Sequence, residues 1–273
     1  MKTRIVALLA LTLLTGEAAF SKTLENVSYG SDPAQRMDIF APDNARNAPV
    51  IFMVHGGGWR RGDKAMPGVA KNKVAYWQPR GFVVISTNYR MIPTANPLEQ
   101  ADDVARAIAH AQRQAASFGG DPNKFILMGH SAGAHLVSLL NAQPQRATKL
   151  GARPWLGTVS LDSAGFDVVK IMESRHPRLY DQAFGTDRQL WRDASPIHVM
   201  TQETKPLLAV CSTKRPDDPC SQAYGYAAKA ASMLARVQVL EQPLSHGQIN
   251  AKLGDPGPYT AAVEKFIESL LSS

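Results

Sequence analysis

The chain has 273 residues, 44% of them apolar and 19% charged, which is enough to bury a large core and too apolar for a disordered polymer. A formal charge of +7 raises the question of nucleic acid. Lys and Arg are scattered, however, and no run of five basic residues occurs, so no nucleic-acid partner is expected.

Lys2 and Arg4 precede the apolar stretch IVALLALTLL, and the small residues of TGEAAFS follow. This is the order of a signal peptide: a positive start, a short apolar centre and a cleavage zone, here near Ala18 to Ser21. This stretch of ten residues, nine of them apolar, is too short to span a bilayer, which needs about twenty. Residues 1–20 are therefore expected to be a signal peptide and 21–273 a single domain, exported to the periplasm or secreted, with no stable membrane insertion after cleavage.

Next, LENVSYG and RMDIFAP read as short strands separated by a Gly-Ser-Asp-Pro turn. APVIFMVHGGGW and GFVVISTNYR are apolar runs of the kind that form strands buried on both faces. PLEQADDVARAIAHAQRQAASFGG has apolar residues at helical spacing and a double-Gly stop. KFILMG is a further buried strand and SAGAHLVSLLNAQ a helix. LGTVSLDS, KPLLAVCS and RVQVLEQP continue the strands, while SQAYGYAAKAASML and YTAAVEKFIESLLSS supply two more helices. Such alternation predicts an α/β fold, a mostly parallel central sheet with helices on both faces. Residues 165–200 interrupt it with a mixed, aromatic stretch containing Tyr180, Phe184 and Trp191, expected to form a short cap insertion over a site.

GHSAG, around Ser131, fits G-x-S-x-G. Its position between a buried strand and a helix suits a nucleophile elbow, a turn so tight that neighbouring backbones leave room only for glycine. HGGGW, residues 55–59, ends the strand PVIFMV, and a glycine run there lets backbone N–H groups turn toward an acyl oxygen. Gly57, Gly58 and Ala132, which follows the serine, are the expected oxyanion donors. A phosphate-cradling loop would place a Lys and a helix after the glycines, and Trp59-Arg60-Arg61-Gly62 offers neither.

A general base should follow the last strand, and His246 lies there in LSHGQIN, read as a loop. His55 belongs to the glycine loop, His130 is the variable position of the elbow, and His135 lies along the following helix. His110 is mid-helix, and His176 and His198 are in the insertion. The acid is expected after KPLLAVCS, in TKRPDDPC, at Asp217 with Asp218 as the alternative. Asp162 and Asp167, after the preceding strand, are the fallback. Cys211 and Cys220, nine residues apart in an exported chain, are expected to form a disulfide that staples this loop. No CxxC or HExxH spacing occurs, and His130 and His135 lie five apart with no carboxylate between them, so no metal site is expected.

With these residues placed, the chain resembles the α/β-hydrolase superfamily, and within it the HGGG-type carboxylesterases that include feruloyl-esterase-like and kynurenine-formamidase-like members. YGSDPAQRMDIFAP resembles their first hairpin, HGGGW their oxyanion loop, EQADDVARAIAHAQ the helix before the elbow, GHSAGAHL the elbow, and AFGTD with Trp191 and ASP their short cap. KRPDDPC departs from their usual acid loop, which carries Val-Pro after the aspartate, and LSHGQIN departs from the more familiar GHGF. The resemblance implies Ser131 as nucleophile, Asp217 as acid, His246 as base, and Gly57, Gly58 and Ala132 as oxyanion donors. It implies a serine esterase acting through an acyl-enzyme on small or aryl esters, with no cofactor and a small-molecule partner. Amide hydrolysis on the same triad, as in an aryl formamidase or peptidase, and a catalytically silent binding protein are the alternatives.

Overall fold

The computed structural model describes residues 21–272 except residue 164, so the expected signal peptide lies outside the described residues. Eight strands form one sheet: β1 (Ser21–Ser28), β2 (Arg36–Pro42), β3 (Ala48–Val54), β4 (Val83–Thr87), β5 (Gly120–His130), β6 (Gly157–Leu161), β7 (Leu207–Ser212) and β8 (Val237–Gln242). Their spatial order is β1-β2-β4-β3-β5-β6-β7-β8. β1 and β2 pair antiparallel, as do β2 and β4, and every later pairing is parallel. This is the mostly parallel sheet expected from the sequence.

The period-2 geometry of a strand divides each apolar run between two cores. In β3, Val50, Phe52 and Val54 face one side and Ile51 and Met53 the other, all fully buried. The first side is covered by α2 (Pro97–Gln114), through Ala101, Val104 and Ile108, and by α3 (Ala132–Ala142), through Leu136, Val137 and Leu140. On the second side lie α1 (Pro67–Trp77) and the C-terminal helix Pro258–Leu271, with Val69, Trp77, Val263, Phe266 and Ile267. Each fully buried Val, Leu, Ile or Phe among these contributes about 1.5–3 kcal/mol by leaving water. Among the described residues, no helix is long and apolar enough to cross a membrane.

Two helices differ from the sequence reading. α1 was not expected: Lys73 occupies one of its inward positions and interrupts the apolar pattern. The stretch expected to be a loop around His246 is the start of a helix, His246–Ala251. Its N-cap is Ser245, whose Oγ accepts from the Gln248 amide while Gln248 Oε1 accepts from the Ser245 amide. That reciprocal pair is spelled in the sequence as Ser-x-x-Gln.

Residues 165–200 fold into four short helices: Val168–Met172, Arg178–Phe184, Arg188–Asp193 and Pro196–Val199. Ser195 joins them, its Oγ accepting from the Val168 amide and donating to the Trp191 carbonyl. Trp59 ties the second of these helices to the glycine loop, packing edge-on against Tyr180 and Phe184 with ring centroids 5.5 and 4.9 Å away.

Candidate active site

Ser131 stands between β5 and α3 with φ 56° and ψ −117°, a conformation that L residues rarely hold. Its neighbours explain the glycines of the motif. A Cβ on Gly129 would strike the Gly133 carbonyl oxygen, and one on Gly133 would strike that of Val54. The turn is therefore held by three backbones in close approach. The Ser131 amide donates to the Leu161 carbonyl at 3.0 Å, fixing the serine to the end of β6, where Asp162 follows.

Asp162 is the carboxylate that meets His246. Its Oδ2 accepts from His246 Nδ1 at 2.6 Å, and its Oδ1 accepts from the Ser212 amide at 2.8 Å. Burial works to raise the pKa of this carboxyl, but the His246 hydrogen bond, Arg215 and the Ser212 amide outweigh it and hold the group below the usual carboxylate range. Nδ1 of His246 is thus committed to the carboxylate and Nε2 is left for chemistry. Among the described residues no hydrogen bond joins Ser131 to His246. The two line the same cavity, and such contacts commonly close only with substrate in place.

The acid expected at Asp217 is corrected accordingly. Asp217 is exposed and turned toward Arg215, accepting from its Nε at 2.9 Å and from its Nη2. Asp218 caps the helix Pro219–Ser232, accepting from the Ser221 amide at 3.2 Å. Asp167 caps Val168–Met172 through the Lys170 amide. Of the four candidate carboxylates, only Asp162 bonds to the imidazole.

Gly57, with φ 126°, Gly58, with φ 61°, and Ala132 line the cavity, and their amide N–H groups donate to no other group among the described residues. The loop beneath is braced by His55, which stacks on Tyr89 at 4.6 Å, and by the Tyr89 hydroxyl, which donates to the His55 carbonyl. The cavity encloses 930 Å³, and Met66, Trp59, Leu179 and Tyr180 also line it.

Three roles were not legible beforehand. His130, taken as the variable position of the elbow, packs its ring 4.5 Å from that of His246 and bonds through Nε2 to the His246 carbonyl at 3.0 Å. Burial, with His246 beside it, lowers its pKa to about 3, so it is a neutral brace. His135 accepts from Trp59 Nε1 through Nδ1 and donates through Nε2 to the Ala194 carbonyl, joining the glycine loop to the insertion. Arg215 reaches Asp162 through Nη1, and nothing in its sequence surroundings signals that contact. Cys211, in β7, and Cys220, in the helix Pro219–Ser232, form the expected disulfide.

A mostly parallel sheet whose fifth strand runs into a strained serine at a helix start, with a histidine after the last strand and a glycine loop after the third, is the α/β-hydrolase fold. A truncated form of a carbohydrate esterase from gut microbiota shares it, with a TM-score of 0.78 and 19% identity over 94% of this chain and 99% of that one. Esterase B from Lactobacillus rhamnosis (HN001) does so with a TM-score of 0.75 and 18% identity, covering 92% and 85%. The chain belongs to the BD-FAE family, which matches residues 37–229. It is 28% identical to esterase LipC of Mycobacterium tuberculosis (strain ATCC 25618 / H37Rv), over 89% of this chain and 64% of that protein. To the isoprenylcysteine alpha-carbonyl methylesterase ICME of Arabidopsis thaliana it is 32% identical, over 60% of this chain and 40% of that protein. The chain thus spans less than two thirds of the length of these curated relatives.

Proposed function

We propose that the chain is a serine carboxylic-ester hydrolase with Ser131 as nucleophile, His246 as general base and Asp162 as acid. The observation that carries this is the 2.6 Å bond between Asp162 and His246 in a cavity that also holds Ser131 and the amides of Gly57, Gly58 and Ala132, which have no hydrogen-bond partner among the described residues. Esterases among the relatives and structural neighbours support it.

In the proposed reaction Ser131 Oγ attacks the ester carbonyl carbon while His246 Nε2 takes its proton. Negative charge gathers on the carbonyl oxygen, and the three amides stabilise it. As the C–O bond of the ester breaks, the proton passes from Nε2 to the departing alcohol. A water molecule then gives a proton to Nε2 and attacks the acyl carbon, and return of that proton to Ser131 Oγ releases the carboxylic acid. Asp162 stabilises the imidazolium formed in each half without being protonated. Trp59 and Tyr180 in the cavity wall support small or aryl esters as substrates. Export is part of the same proposal, supported by the charge and apolar pattern of residues 1–20 and in keeping with the disulfide.

The test is hydrolysis of p-nitrophenyl esters of increasing chain length, beside an aryl formamide and a feruloyl ester. Ser131→Ala is expected to lower kcat by about 10⁴-fold or more on whichever is turned over. Equal slow rates for wild type and Ser131→Ala on every substrate would sink the enzyme reading. A formamide cleaved faster than the matching ester would move it to amide hydrolysis.

A further inference from the structure

Arg215 is more closely built into the site than a triad requires. Its Nη1 donates to Asp162 Oδ2 and to the Asp162 carbonyl, both at 3.1 Å, and lies 3.2 Å from His246 Nδ1. Two N–H groups, one from the imidazole and one from the guanidinium, therefore converge on the same carboxylate oxygen. The other edge of the guanidinium is gripped by Asp217 in a two-pronged pair. Its side chain is only 17% exposed, against 40% for that of Asp217, so the arginine faces inward and its partner outward. The loop that carries both residues starts at Cys211 and ends at Cys220, and the disulfide closes it.

The charged and titratable groups around it come from every packed element. Asp162 follows β6, His246 begins its helix, and Asp217 shares the loop. Tyr180 reaches in from Arg178–Phe184, His130 packs against His246 with its ring tilted by 37°, and Tyr259 lies near Asp162. Among the described residues, Asp162 is the one carboxylate both wholly buried and bonded to His246.

We propose that Arg215 is a positioning residue for the Asp162–His246 pair: its Nη1 contact with Asp162, anchored on the other edge by Asp217 and by the disulfide-closed loop, fixes the carboxylate against the imidazole. The physical grounds are geometric. A carboxylate held by three donors cannot rotate away from its histidine, and displacements of about an ångström at a base can cost about a hundredfold in rate. The guanidinium nitrogens are engaged by Asp162 and Asp217, so removing the side chain is expected to change kcat rather than KM.

This inference rests on the triad reading, and the experiment separates the two. kcat and KM for the ester whose hydrolysis Ser131→Ala abolishes are measured for wild type, Arg215→Ala, Arg215→Lys and Asp217→Asn. Arg215→Ala is expected to lose about tenfold to a hundredfold in kcat with little change in KM. Free guanidinium ion should restore part of the lost rate. Arg215→Lys, which keeps the charge without the two-edged grip on Asp162 and Asp217, should also lose kcat. Asp217→Asn, which releases the outward anchor, should lose less than Arg215→Ala. An Arg215→Ala enzyme with wild-type kcat overturns the proposal. So does a loss that guanidinium does not restore, because that is a packing defect alone. A rise in KM at unchanged kcat overturns it in favour of substrate binding. Should Ser131→Ala keep the wild-type rate, the triad reading fails first.

Discussion

Asp162 occupies a backbone conformation, φ 54°, that aspartate tolerates better than most residues, and all of its carboxylate contacts are made by groups distant in sequence. Asp162→Asn is expected to lower kcat by about 10⁴-fold, since an amide leaves the imidazole tautomer unfixed. Asp218→Asn, which weakens only a helix cap, should leave kcat close to wild type. Comparable losses in both would return the acid to the loop after β7. The sign of the pH effect follows from the depressed titration of Asp162. Its contacts stabilise the fold at all pH above the ordinary carboxylate range, and that contribution is lost as pH falls through the lowered value. Ser131 and His246, the nucleophile and base of the proposed reaction, were singled out in advance because of chain order alone, one after a buried strand and the other after the last one. The carboxylate that bonds to His246 was not. Both β6 and β7 are followed by aspartates between the serine and the histidine, and the choice depends on which loop curls toward Nδ1, a property of the folded sheet edge. Asp217 and Asp218 are drawn away by contacts within their own loop.

At the scale of elements, the segment between β7 and the helix Pro219–Ser232 is a closed ring holding Arg215 and Asp217. Opening it removes a short-loop constraint worth about 2–3 kcal/mol in the chain-entropy account. Reduction, or Cys211→Ser with Cys220→Ser, is expected to lower activity before it unfolds the protein, because the ring holds the arginine against Asp162. Activity and circular dichroism followed together through a reductant titration check this. Full activity in a folded double variant removes the link. Strands and the two amphipathic helices α2 and Pro258–Leu271 were legible from apolar periodicity. α1 was hidden by Lys73, whose buried Nζ donates to the carbonyl and side-chain oxygens of Asn250 at 2.7 and 2.9 Å. An inward lysine that holds a neighbouring helix looks like a surface residue in sequence. The helix that begins at His246 was missed for a different reason: its Ser-x-x-Gln cap introduces only six residues, too few for periodicity to show.

For the whole molecule, the alternation of strands and helices foretold the fold class, while the strand order β1-β2-β4-β3-β5-β6-β7-β8 could not be read from a linear pattern. The glycine loop, the elbow and the insertion are joined in one chain of contacts, from Trp59 Nε1 through the His135 ring to the Ala194 carbonyl, at 3.1 and 2.7 Å. Burial lowers the pKa of His135 to about 4, so the ring in this link is neutral near pH 7. A second tie runs from Arg60 to Gln182 at 2.7 Å. Both hold the 165–200 helices down onto the core. His135→Leu leaves a buried indole N–H and a carbonyl without partners, and a stability loss of about 1–3 kcal/mol for each is expected in thermal melts. An unchanged melting temperature would show that the link carries no weight. For the proposed reaction the expected consequence is kinetic: with these helices tied to the core by hydrogen-bonded side chains rather than free to swing, progress curves are expected to start without a lag, and activity is not expected to jump when the substrate aggregates into micelles.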